Sequence, residues 1–493
     1  MILWLRHTVL LFLWVTFIAS TFAKTTVELI EHNISYFKFE EAKTLLSELE
    51  EPAHQQFYLQ TIRIYQYLAT QDPGIMAQLE EDWKPTLKLI QNLPESDQLR
   101  YIYLSELHGK RAIIEFLAGN YFSTLSQVNS SRSALKKSEA QYPDLPEAMK
   151  VQGLFHIAFG AVPKKYQWLT RALGFRGSIQ TGLSMLKSSY REGKLLPLES
   201  LIMRCYVEKN MQSRPEAVVD ALGTVLKEDY PDNMLLRLFQ ASSYISLKKN
   251  EKALAILKHR TQYSQNSQIY FIPFWDYLYG KAYYYKAQYP QSKKYLSGFL
   301  KINKGFLNRK DAMFRLGMAY TLDGDYASGR KYFSQILQNS SSRLAEDEYA
   351  NFMAEKFLDK PPTGFELNLF KARNLYDGGY YSQTVEVLDG IANQSRKLSN
   401  EEHTELHYRY ARVYHTMGDI TNAQKHYHQC LEQEPEWQLW LQVYSHYFLA
   451  EISRSSGNLA QARTGYKKAL SYDKYFYQDG LENRCKVALA ELP

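Results

Sequence analysis

Residues 410–431 read YARVYHTMGDITNAQKHYHQCL, and two other stretches keep the same register. Residues 316–337 read LGMAYTLDGDYASGRKYFSQIL, and residues 449–470 read LAEISRSSGNLAQARTGYKKAL. Each has a small residue in second place (Gly317, Ala411, Ala450) and a Gly-Asp or Gly-Asn turn (Gly324-Asp325, Gly418-Asp419, Gly457-Asn458). Each then has a second small residue (Gly329, Ala423, Ala462) and an aromatic four positions on (Phe333, Tyr427, Tyr466). This is the pattern of two packed helices. Small residues let the pair approach, and the aromatic fills the space one turn further along. The Gly takes the left-handed conformation that ends the first helix. The Asp or Asn that follows caps the second.

The register resembles that of tetratricopeptide repeats. Fainter copies extend it. Gly280, Tyr283, Tyr289 and Leu296 fit one unit; Ala241, Tyr244, Ala253 and Leu257 fit another; Ala372, Gly379, Tyr381 and Leu388 fit a third. Near the start, Phe39, Ala42 and Leu46 read as a second helix, and Ala112, Gly119-Asn120-Tyr121 and Val128 as a turn region. Pro435 is expected to close the second helix of its unit. No alternating Val/Ile/Thr run argues for a sheet, so the expected fold is all-α, an α-solenoid of helical hairpins with an irregular helical middle.

That middle covers residues 150–195, where Gly153, Pro163, Gly174-Phe175, Ser178 and Gly182-Leu183 break the repeat. Pro163, Leu169, Gly174, Phe175, Gly177, Gly182 and Leu183 resemble the signature of the tetratricopeptide-repeat protein 39 family and its fungal inclusion-body-clearance relatives. The resemblance implies an all-helical, non-enzymatic adaptor. Those relatives are intracellular, and here this chain departs from them.

Its N-terminus reads as an export signal. One positive charge, Arg6, precedes the apolar run Val9–Ala19, and Thr21-Phe22-Ala23 offers small residues to a signal peptidase. Cleavage after Ala23 would leave Lys24 first and the product exported, periplasmic or secreted. Retention as an uncleaved anchor is the rival reading. No later stretch has the ~20 apolar residues that span a bilayer. The expected organisation is residues 1–23 as signal, 24–149 as N-terminal hairpins, 150–195 as the irregular block and 196–493 as the repeat array.

With 45% hydrophobic and 23% charged residues among 493, the chain is globular rather than disordered. Its formal charge is +7, and Lys and Arg form no dense block, which points away from nucleic acid. Cys205, Cys430 and Cys485 lie in helical patterns without C-x-x-C spacing and read as small buried residues, with one disulfide left open. His403 and His407 share a helix face and His426, His428 and His446 follow, but H-E-x-x-H is missing and no metal is expected. Neither G-x-S-x-G nor a phosphate-binding loop occurs, so no catalytic residue and no cofactor is expected.

The expected function is therefore a binding scaffold for a protein or peptide. The runner-up is a glycan-binding or glycan-processing helical protein of the cell envelope. Three residues before each aligned small residue stand Tyr277, Phe314, Tyr408 and Tyr447, on the side that faces inward in tetratricopeptide units. Lys281, Arg412 and Arg454 share that helix side at helical spacing. Rings beside cations suit an acidic or aromatic peptide, with a glycan as second choice. The same rings could instead pack between adjacent units.

Overall fold

A computed structural model describes residues 24–161, 177–338, 345–393, 398–433, 435 and 438–492. The expected export signal, and Pro163, Leu169, Gly174 and Phe175 of the middle block, lie outside the described residues. Among those described, every regular element is a helix, and no helix is long and apolar enough to cross a membrane. The chain forms two compact units: residues 24–240 with 259–272, and residues 241–258 with 273–492. The boundaries expected at 149 and 195 both fall inside the first unit.

Each unit is built from consecutive helical hairpins. In the second, Phe274–Tyr285 packs on Tyr289–Ile302, Arg309–Leu322 on Tyr326–Gln338, and Gly364–Gly378 on Tyr381–Ala392. Asn400–Met417 then packs on Ile420–Cys430, and Leu439–Ser455 on Leu459–Ala469. The repeat register explains this pairing. Gly324, Gly379, Gly418 and Gly457 all have φ between 80° and 90°, in the left-handed region. The Asp325, Asp419 and Asn458 side chains accept the backbone N–H three residues on, at 2.9, 3.1 and 3.2 Å. The paired alanines 411/423 and 450/462 are buried, as are the aromatics that follow them, Tyr427 and Tyr466, and Phe333 follows the Gly317/Gly329 pair in the same way. The helix before Pro435 stops earlier than that proline requires, at Cys430.

Three helices start with reciprocal caps, in which Thr25, Thr363 and Ser399 pair with Glu28, Glu366 and Glu402. Pro52, Pro73, Pro197 and Pro215 open others at the position where a missing N–H is harmless. All three cysteines are buried free thiols, each pushed up to about 12 by burial.

The first unit buries charge as well as hydrocarbon. Lys150 Nζ lies 2.6 Å from both Glu106 Oε1 and Glu199 Oε2, and Lys110 Nζ lies 3.1 Å from Glu199 Oε1. The Tyr65 hydroxyl donates to the same Glu199. Burial alone would raise the Glu199 carboxyl, but Lys110 and Lys150 hold it well below the usual carboxylate range. Such a group is held by its pairing, because losing one partner would strand a charge in the core.

Candidate partner-binding site

The seven expected groove residues do not form one open face. Tyr277, Phe314 and Tyr408 are buried, at 4%, 6% and 5% exposure. The Tyr277 ring packs on Phe299 of its own hairpin, and its hydroxyl donates to Asp311 of the next, at 2.7 Å. Phe314 lies between Phe333 of its own hairpin and Tyr349 of the following helix. Tyr408 meets Trp440 edge-on, with ring centres 5.8 Å apart. Of the two readings the sequence left open, an exposed groove or packing between adjacent units, these three positions follow the second, for a geometric reason. The first helices of successive hairpins lie side by side, and this helix side is where they touch. Tyr447 is half-buried against Phe448 and Tyr466.

The cations are engaged as well. Lys281 Nζ sits 5.6 Å from the Tyr277 ring centre. The Arg412 guanidinium lies 3.6 Å from the Phe448 ring centre and donates to the Tyr427 hydroxyl at 3.2 Å. Arg454 pairs with Glu451 and Glu491, both at 3.1 Å. Sequence reasoning passed over the neighbouring ion pairs. Arg315 meets Asp311 at 2.6 Å, Arg409 meets Glu405 at 2.7 Å, and Lys248 meets Asp377 at 2.9 Å. The i,i+4 spacing of the first two was the available signal.

What the second unit does offer is a cavity of about 350 Å³. Its walls come from three helices, Ala345–Asp359, Gly364–Gly378 and Asn400–Met417, and from Gln438 and Trp440. Tyr349, Met353, Leu369 and Phe370 supply apolar surface. Glu366, Glu401, Glu402 and Glu405 stand in the lining against Lys356 and Lys360, so carboxylates outnumber ammonium groups. Part of this charge is committed. Glu366 and Glu402 complete helix caps, Glu366 pairs with Lys356 at 2.7 Å, and Glu405 accepts from Gln438 at 2.8 Å. Among the described residues, the Trp440 indole N–H and the Gln438 Oε1 are buried and lack hydrogen-bond partners.

The histidines form a small cluster in the same unit. His407 Nδ1 lies 2.9 Å from His426 Nδ1, and the His403 ring centre is 4.4 Å from that of His407. Burial pushes His407 down to about 3 and His426 to about 4, with neighbouring His403 and Lys425 acting in the same direction. Among the described residues, no group of three or more His, Cys, Asp or Glu side chains is arranged to hold a metal.

Two stretches of the chain, residues 311–342 and 404–436, each match a different family model, both described as tetratricopeptide repeat. Both lie in the second unit, and both contain a hairpin that the repeat register had marked out. No curated protein matches the chain. Similar solved structures include "Human IFIT1 dimer with PPP-AAAA", at 13% identity over 70% of this chain and 85% of that one, with a TM-score of 0.26. Another is "Crystal structure of APC/C hetero-tetramer Cut9-Hcn1", at 12% identity over 92% of this chain and 80% of that one, with a TM-score of 0.27. At these scores the likeness carries no argument. The second unit is an array of helical hairpins in which these two stretches match the tetratricopeptide repeat.

Proposed function

We propose that the protein is an exported, non-catalytic scaffold whose second unit holds a protein or peptide partner in the cavity beside Trp440. The observation that carries this reading is the cavity itself, whose lining sets four carboxylates against two ammonium groups. The repeats at 311–342 and 404–436 support it, since arrays of this kind present extended binding surfaces. The carboxylate excess of the lining favours a basic segment. The acidic peptide suggested by Lys281, Arg412 and Arg454 has less support, because those cations are already engaged.

A photo-crosslinking residue at Pro361, in the cavity wall, tests this directly. It should capture a discrete protein from the native compartment, and Glu401→Lys should abolish the capture. The same residue at Leu337, exposed and outside the cavity lining, should give no such band. Identical patterns from both positions would end the proposal.

Export rests on the Val9–Ala19 run and Thr21-Phe22-Ala23. N-terminal sequencing of the native protein should read Lys24-Thr25-Thr26, and an intact Met1 on a membrane-bound form would overturn it. Kinship to the tetratricopeptide-repeat protein 39 family also stays a proposal. Of its matching residues, Gly182 already has a packing reason to be glycine.

A further inference from the structure

The first unit contains a second, chemically different cavity, of about 270 Å³. Leu68, Ile113, Ile202, Met203, Leu235 and Ile272 line it, and Ile113 is 39% exposed. Tyr65, Lys110 and Glu199 also line it, and these are members of the buried charge cluster. We propose that this cavity binds a small, uncharged, hydrocarbon-rich molecule, such as a compound of two aromatic rings or a short alkyl chain.

Three observations select that chemistry. First, the charged groups are already matched. The two ammonium groups of Lys110 and Lys150 face the carboxylates of Glu106 and Glu199, and the Tyr65 hydroxyl donates to Glu199. A charged ligand would unbalance this set in a water-poor place, which is costly. Second, most of the wall is helix, whose backbone groups bond within their own helices. A peptide would bring two backbone polar groups per residue and find few partners here. Third, the size suits a small molecule. An apolar cavity of about 150 Å³ takes benzene, so this one has room for a second ring.

The test is a fluorescence titration of the full chain with N-phenyl-1-naphthylamine, a neutral probe that brightens in apolar surroundings. Its fused two-ring naphthalene is the part sized for the cavity, and its third ring, the phenyl, would sit toward the exposed Ile113. Saturable binding of one equivalent is expected. Its anionic relative 1-anilinonaphthalene-8-sulfonate should bind at least about tenfold more weakly, a gap of about 1.4 kcal/mol. Met203→Trp and Ala69→Phe each fill the cavity from a different wall. Either should weaken the neutral probe by at least about tenfold with helix content unchanged. Two variants guard against one failing to fold. Non-saturable binding, equal affinity for the sulfonate, or full affinity in both folded variants would overturn the proposal. So would capture of peptides at this cavity in place of the probe.

Discussion

Gly153 and Gly182 face each other across the hairpin formed by Ala148–Gly160 and Ile179–Glu192, each backbone set against the other. A Cβ on Gly153 would lie 2.9 Å from the Gly182 carbonyl oxygen, and one on Gly182 would run into the Gly153 carbonyl and reach 2.6 Å from Ile157 Cγ1. Neither carbonyl can step aside as a flexible side chain would. Gly182→Ala is therefore expected to destabilise by ~1–3 kcal/mol, the usual range for overpacking. Gly223 is the internal control, because a Cβ there meets nothing within 4 Å and the residue is helical. Gly223→Ala should stabilise by ~0.4–1 kcal/mol through the unfolded chain. Chemical denaturation of the two variants should give shifts of opposite sign. Shifts of the same sign would mean that the two helices are not in this register.

Two of the repeat units, at 411/423 and 450/462, make the same kind of contact with alanine in place of glycine. Ala462 is fully buried, while Gln461 beside it is exposed. Ala462→Leu should lower stability by ~1–3 kcal/mol. Gln461→Leu should stay within ~0.5 kcal/mol of the parent, as surface changes do. Melting curves of the two variants decide the point, and equal losses would displace the whole alignment.

These two cases show why the fold was legible and the site was not. Gly317, Gly329, Ala411, Ala423, Gly418 and Gly457 carry their reason locally, as close approach or positive φ, so their spacing alone reveals the hairpins. Tyr277, Phe314 and Tyr408 share a helix side with one another, and periodicity identifies that side correctly. It does not say whether the side meets solvent or the next hairpin. That depends on Asp311, Tyr349 and Trp440, which lie 34, 35 and 32 residues further on. The cavity beside Trp440 draws on four separate segments, and it exists only once those segments are folded together.

Burial of the rings makes its own prediction. Tyr408 packs in a cluster with Ala411, Tyr427 and Trp440 and is 5% exposed. Tyr408→Ser should cost ~3–5 kcal/mol, as truncation of large buried rings does. Tyr447 is half-buried, and Tyr447→Ser should cost clearly less. Urea titration of each single variant measures this. A mild Tyr408→Ser would restore the ring to an exposed groove.

The last prediction concerns pH and Glu31. Its carboxyl accepts from the Tyr58 hydroxyl at 2.7 Å and from the Leu196 N–H at 3.0 Å. Burial dominates over both bonds and raises its pKa from 4.5 to about 7, with Lys150 opposing and Glu199 reinforcing the rise. The folded state therefore holds this proton more tightly than the unfolded chain does. Stability from this group is fully present below about pH 4.5, declines as pH rises, and is lost by the time pH passes about 7. The size is about 3 kcal/mol. Glu31→Gln keeps an acceptor for Leu196 and removes the ionisation. The difference in unfolding free energy between parent and variant should shift toward the variant by about that amount between pH 4 and pH 8. Other titrating groups largely cancel in the difference. A parent-minus-variant difference that stays flat across that range would show that Glu31 ionises freely in the folded protein.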